Sequence, residues 1–193
     1  MRQAMKRLMG WIGLVRALPH LASYALLRPW LGRQRAFSLA GESVAKIPGV
    51  LGLYARQAFY RCTAAHVGRD VHFGFMSVLS KPEAVIGDRV YIGRFCGIGW
   101  AHLEDDVLLA DGVQVLSGRH QHSDQRGESP AFNRVRIGRS TWVGAGAVIM
   151  ADVGADAVVG AGAVVVKPVP NGLKVGGVPA QPLGSAAASH RAA

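Results

Sequence analysis

From Val67 onward an aliphatic residue returns at every sixth position, and few folds accommodate that period. Five triples carry it: Val67, Phe73, Leu79; Ile86, Ile92, Ile98; Leu103, Leu109, Val115; Ile137, Val143, Ile149; and Val153, Val159, Val165. Inside each triple the spacing is always six, and irregular steps of 7, 5, 22 and 4 residues fall only between triples. Glycine follows the aliphatic residue in nine of the fifteen hexads. Four positions after it a small or β-branched residue often stands, among them Val71, Ser77, Val90, Cys96, Thr141, Ala147 and Ala163. Three short flat faces then make one triangular coil, with the aliphatic residue pointing to the axis and glycine or another small residue turning the corner. Coils stacked about 4.8 Å apart form parallel strands, so five coils give a prism on the order of 24 Å long. An ordinary β-sandwich would show alternation at period two, and the sustained period of six excludes it. The expected fold class is therefore mainly β, a parallel β-helix of about five coils.

Composition agrees with a core of small units. Half of the 193 residues are hydrophobic, yet only 7% are aromatic, and there are 25 glycines. Cys62 and Cys96 make no disulfide framework, and no CxxC pair is present, so a reducing, cytoplasmic setting is expected. The net charge of +10 is unevenly placed: residues 1–66 hold ten Lys or Arg against one acid, Glu42, whereas the other 127 hold twelve basic and eleven acidic groups. A nearly neutral body thus follows a basic front end of +9, which points to an anionic partner for that end only. Residues 8–31 are apolar but broken by Arg16, Pro19, His20 and Arg28, so they neither span a bilayer nor read as a signal peptide. They read as one or two amphipathic helices, with Trp11, Trp30, Leu and Ile on one side and Arg on the other, lying on an anionic membrane surface. Residues 36–61 repeat that character around a break at Pro48-Gly49, with Arg56 and Arg61 among its cations. The alternative for both is packing on the β domain or on a sister subunit. The expected organisation is a helical, basic amphipathic extension over 1–66 and a β-helix over 67–166 with an inserted loop at 116–136. A C-terminal segment over 167–193 closes the cofactor groove and ends in a disordered Ala-rich tail.

The stretches IGDRVYIGRFCG (86–97) and IGRSTWVGAGAV (137–148), with the closing KPVPNGLKVGGVPA (167–180), resemble the left-handed β-helix hexapeptide acyltransferases. That family includes the galactoside, maltose, serine, xenobiotic and colanic-acid O-acetyltransferases. The resemblance covers about residues 67–183 and implies a left-handed coil, a homotrimer with each site between two subunits, and acetyl-CoA as acyl donor. The hexads by themselves specify fold and not activity.

The step from Val115 to Ile137 inserts a polar loop, and a long loop thrown from a regular scaffold is a common seat of function. Its opening Ser117-Gly118-Arg119-His120 is similar to the acetyltransferase segment that precedes the catalytic histidine, which maps the general base onto His120, with His122 as competitor. A neutral imidazole can accept the proton of an alcohol as it attacks a thioester. Asp124 or Glu104 is available to orient the ring. The resemblance places oxyanion donors near Ala145, beside Gly144, and lets Trp142 line the acceptor or pantetheine groove. It also assigns cofactor contacts to the last coils, at Gly160 and Ala161, and to Lys167, with Lys174 as a substitute phosphate contact. Gln181 stands where the family often has Arg or Lys. Between Ile149 and Val158 the register runs two residues short, either a harmless short corner or a reshaped groove.

The acceptor suggested by a membrane-directed front end is a sugar or polysaccharide precursor, met on the cytoplasmic face of the inner membrane. Two rivals remain. One is a non-catalytic membrane-associated scaffold. The other is a γ-carbonic-anhydrase-like metal enzyme using His102, His120 and His122, whose ligand motifs are not reproduced here; no metal is expected. Nucleic acid is a poor candidate partner, because the basic residues interleave with aliphatic ones rather than stacking platforms.

Overall fold

The computed structural model describes residues 2–116 and 134–185. Two helical elements precede a parallel β-helix: α1 (Arg2–Ala45) and α2 (Gly49–Thr63). Three faces of two- to four-residue strands follow. Face 1 stacks β1 (His66–Val67), β4 (Val85–Ile86), β7 (Ala101–Leu103) and β10 (Val135–Ile137). Face 2 stacks β2 (His72–Phe73), β5 (Tyr91–Ile92), β8 (Leu108–Leu109), β11 (Trp142–Val143), β13 (Val158–Val159) and β15 (Leu173–Gly176). Face 3 stacks β3 (Val78–Leu79), β6 (Gly97–Ile98), β9 (Gln114–Val115), β12 (Val148–Ile149) and β14 (Val164–Val165). Each aliphatic row of the sequence is a stacked column; Ile86 pairs with Leu103, Ile92 with Leu109, and Ile98 with Val115. Except for half-buried Val67, all fifteen are buried, and so are the small residues four positions on. The β-helix of five coils is as expected. Val153 and Val169 bridge in parallel and β15 pairs with β13, which starts a sixth, partial coil that the hexad count stopped short of.

Glycine does a different job from the one expected. The left-handed backbone that bends the chain falls three positions after the aliphatic residue, at Asp70, Met76, Arg89, Phe95, Asp106, Ser140 and Asp156, and at Gly112, Gly146, Gly162 and Gly172. The glycine directly after the aliphatic residue instead clears the next coil: a Cβ on Gly144 would lie 2.5 Å from the backbone nitrogen of Ala161. Every irregular step falls at one corner, from face 3 to face 1, and the short step from Ile149 to Val153 recurs from Val165 to Val169. The register fault is thus a short corner that the partial coil repeats.

The helical part closes the open first coil. Helix α1 is interrupted at Gly32 (φ 76°, ψ 161°). There the chain doubles back, since His20 Nδ1 lies 3.0 Å from Ser43 Oγ although a straight helix would hold the two about 34 Å apart. The Tyr24 and Phe37 rings likewise meet at 6.4 Å. The second leg of α1 and α2 bury Phe37, Phe59 and Tyr60 against Phe73 and Leu79. Backbone groups that a preceding coil would satisfy are met by side chains. Arg56, 2% exposed, donates from Nε to the Phe73 carbonyl (3.0 Å) and from Nη1 to those of Ile47 (2.7 Å) and Ala45 (3.3 Å). Gln57 donates to the Val71 carbonyl, Arg61 to that of Gly68 (3.2 Å), and Gln34 to that of Ser80 (2.9 Å). The Leu79 N–H donates to the Tyr60 hydroxyl at 3.1 Å. Of the two readings of 36–61, Arg56 and Arg61 follow the packing one, since both cap the β-helix, and the break at Pro48-Gly49 is the turn between the helices.

The first leg of α1 packs its other side inward, at Gly13 against Tyr54 and at buried Ala17. On its outer side Leu8, Trp11, Ile12, Val15, Leu18, Pro19, Ala22, Ala25, Leu26, Pro29 and Trp30 are all exposed. Among the described residues no helix is long and apolar enough to cross a membrane.

Candidate functional site

The inserted loop leaves the prism after β9 and returns at β10, so it is rooted at the corner between faces 3 and 1. His120, His122 and Asp124 lie outside the described residues. At the landing point the Val135 N–H donates to the Trp100 carbonyl (3.1 Å), and His102 stands on face 1 in register with Val85 and Arg136. Burial, and next the Arg134 cation, hold the His102 imidazole below its ordinary value, with Glu104 acting against them. Glu104, offered above as an orienter, is already engaged. It accepts from the Arg136 guanidinium and from the Arg139 N–H (2.9 Å), and the Arg136 bond is the first cause that holds its carboxyl below the usual range. It therefore belongs to a ladder of paired charges at the corner between faces 1 and 2. In that ladder Asp88 accepts from Arg69 at 2.7 Å and Asp106 from Arg89 at 2.6 Å.

The other candidates fall on the far side of the prism. Trp142 points outward from β11, in register with Leu108 before it and Val158 after it, and Lys174 continues the same row. That row begins with His72 and Tyr91, whose rings stack at 4.5 Å, so face 2 presents an aromatic and aliphatic strip ending in a cation. Gly144, Ala145, Gly160 and Ala161 stack beside it at the corner between faces 2 and 3. There the Gly162 N–H donates to the Ala145 carbonyl (2.8 Å), and exposed Ala145 and Ala161 leave the backbone nearly bare. Six of the seven expected cofactor residues are thus brought together. Lys167 is not, because it is exposed at the corner between faces 3 and 1, two coils beyond the loop's root. Gln181 opens β16 (Gln181–Ser185), which runs antiparallel to β15, and it is exposed.

One chain therefore divides its candidates between two surfaces. The loop's root and Lys167 lie on one edge; Trp142 and Lys174 lie on the face opposite that edge, and Ala145 and Ala161 at the corner between faces 2 and 3. No hexad pattern carries this division, since it depends on which corner each residue reaches.

A family model described as the hexapeptide repeat of succinyl-transferase matches residues 134–167. No curated protein sequence matches the chain. Among solved structures, a maltose O-acetyltransferase from Clostridium difficile 630 is similar with a TM-score of 0.65 at 19% identity, covering 79% of this chain and 86% of that one. A galactoside acetyltransferase in complex with coenzyme A is similar with a TM-score of 0.63 at 20% identity, covering 82% and 84%. A hexapeptide-repeat acetyltransferase from Vibrio cholerae O1 biovar eltor, complexed with acetyl coenzyme A, gives 0.61 at 22% identity, covering 80% and 86%. Likeness at this level of identity concerns the fold, including the expected left-handed coil. The chain carries the hexapeptide repeat and shares the parallel β-helix fold of these acetyltransferases.

Proposed function

We propose that the protein is an O-acyltransferase that moves acetyl from acetyl-CoA to a hydroxyl of a sugar or polysaccharide precursor. The observation that carries this reading is the bare-backboned, apolar strip from Trp142 to Lys174 beside the Ala145 and Ala161 corners. It is supported by the shared fold, since two of the similar structures hold coenzyme A or its acetyl ester. His120 serves as general base, with His122 the alternate and Asp124 the orienting carboxylate. The imidazole takes the acceptor's O–H proton as that oxygen bonds to the thioester carbonyl carbon. Backbone N–H groups near Ala145 stabilise the tetrahedral oxyanion. Collapse breaks the carbon–sulfur bond, and the imidazolium returns its proton to the departing thiolate.

This chemistry is assigned to two copies, the loop of one against face 2 of the next, because the loop's root lies on the edge opposite face 2; a homotrimer closes that arrangement. Radiolabelled acetyl-CoA offered with a panel of sugar acceptors tests the reading. His120→Ala is expected to lower transfer by about 10² to 10⁴, with His122→Ala much less affected. Undiminished transfer by His120→Ala would remove His120 from the role.

A further inference from the structure

The first leg of α1 inverts the usual arrangement of a surface helix. At 100° per residue, the eleven exposed apolar positions between 8 and 30 fall within an arc of about 140°, and no charged residue shares it. Trp11, 68% exposed, and Trp30, 86% exposed, stand about 28 Å apart near its ends, with Leu26, 72% exposed, between them. The opposite side of the leg is already spent on the helices beneath, so the outward strip contributes nothing to the fold. It is larger and more continuous than the scattered apolar residues of an ordinary surface.

Charge selects the occupant. Arg16 borders the arc, and Arg28, Arg33 and Arg35 are exposed around its far end; Arg33 alone of these has an ion pair among the described residues, with Glu83 at 3.6 Å. The sequence adds Arg2, Lys6 and Arg7 at the start of the leg. A second copy pairing by the same strip would set these cations against their own kind. The remainder of the chain carries no acidic excess to receive them. An anionic lipid surface meets both demands, because acyl chains accept the strip while headgroups meet the arginines and tryptophan rings. We infer that residues 8–30 lie in the plane of an anionic membrane as a peripheral anchor, with the helical cap between bilayer and β-helix. This stands apart from the acyl-transfer reading.

Sedimentation of the full-length protein with vesicles tests it. Vesicles containing phosphatidylglycerol are expected to bind about tenfold more protein than vesicles of phosphatidylcholine alone, and added salt is expected to release part of it. The triple variant Trp11→Glu/Leu26→Glu/Trp30→Glu changes only outward side chains. It should keep its helical circular dichroism and thermal midpoint while losing vesicle binding. Wild-type protein that stays in the supernatant with anionic vesicles, or a triple variant that still sediments with them, overturns the inference. Loss of a self-associated form in the triple variant, with no vesicle binding by wild type, overturns it in favour of a second copy.

Discussion

At the scale of single residues, the first coil depends on Arg56 and Tyr60. Arg56→Met keeps volume but leaves the Phe73 and Ile47 carbonyls without the guanidinium, while the Ala45 carbonyl still accepts from the Met76 N–H. A loss of about 2–4 kcal/mol in urea unfolding is expected. Tyr60→Phe removes the acceptor of the Leu79 N–H and should cost about 1 kcal/mol. Burial is the first cause that raises the Tyr60 hydroxyl above the ordinary tyrosine range. Above about pH 10 the unfolded chain releases that proton while the native state holds it, so stability declines as pH rises. Relative to wild type, Tyr60→Phe is expected to flatten that alkaline decline in unfolding titrations. Neither role was read from the sequence, where a charge amid aliphatic residues counts as an exposed position. A usable signal was there: Gly52, Arg56, Tyr60 and Thr63 recur at helical spacing on one buried face.

At the scale of elements, the coils were legible because a short fixed period maps onto buried columns, and each triple repeats the mapping. The partial sixth coil was not, since Val169 and Val175 supply a single hexad step and no triple. Glycine was located correctly but given the wrong duty, because spacing does not separate a residue that bends from one that yields room. Gly138→Ala tests the second duty. Its Cβ would sit 2.7 Å from the Ala155 Cα and from the Gly154 carbonyl carbon, both backbone atoms that cannot swing aside. Melting should reveal a loss of about 1–3 kcal/mol. In α1 the two faces predict opposite outcomes. Phe37→Ala, in the buried cluster, should cost about 3–5 kcal/mol, whereas Trp30→Ser should change stability by no more than about 0.5 kcal/mol.

At the scale of the whole molecule, the proposed catalytic unit is an interface and not a chain. His120→Ala and Trp142→Ala then damage opposite walls of different sites, and each should be inactive alone. Unfolded together and refolded as mixed trimers, they should regain about a quarter of wild-type sites, those that pair an intact loop with an intact strip. No recovery beyond the sum of the separate variants would place both residues in a wall of the same copy. The sequence supplied the candidate residues of this unit, and the resemblance implied a site between two subunits, but the hexad repeat does not say which corner or face each residue reaches. The proposed anchor lies outside the helices that cap the first coil, and the loop is rooted between the third and fourth coils, about 10–15 Å beyond the first along the axis. Chain length varies at only one of the three corners, by 4, 5, 7 or 22 residues per step, while the other two corners keep strict count. That edge works as a splice margin: segments can be lengthened or exchanged there without shifting the stacking of any coil, so on the proposed function acceptor choice can diverge while the spool that holds it stays unchanged.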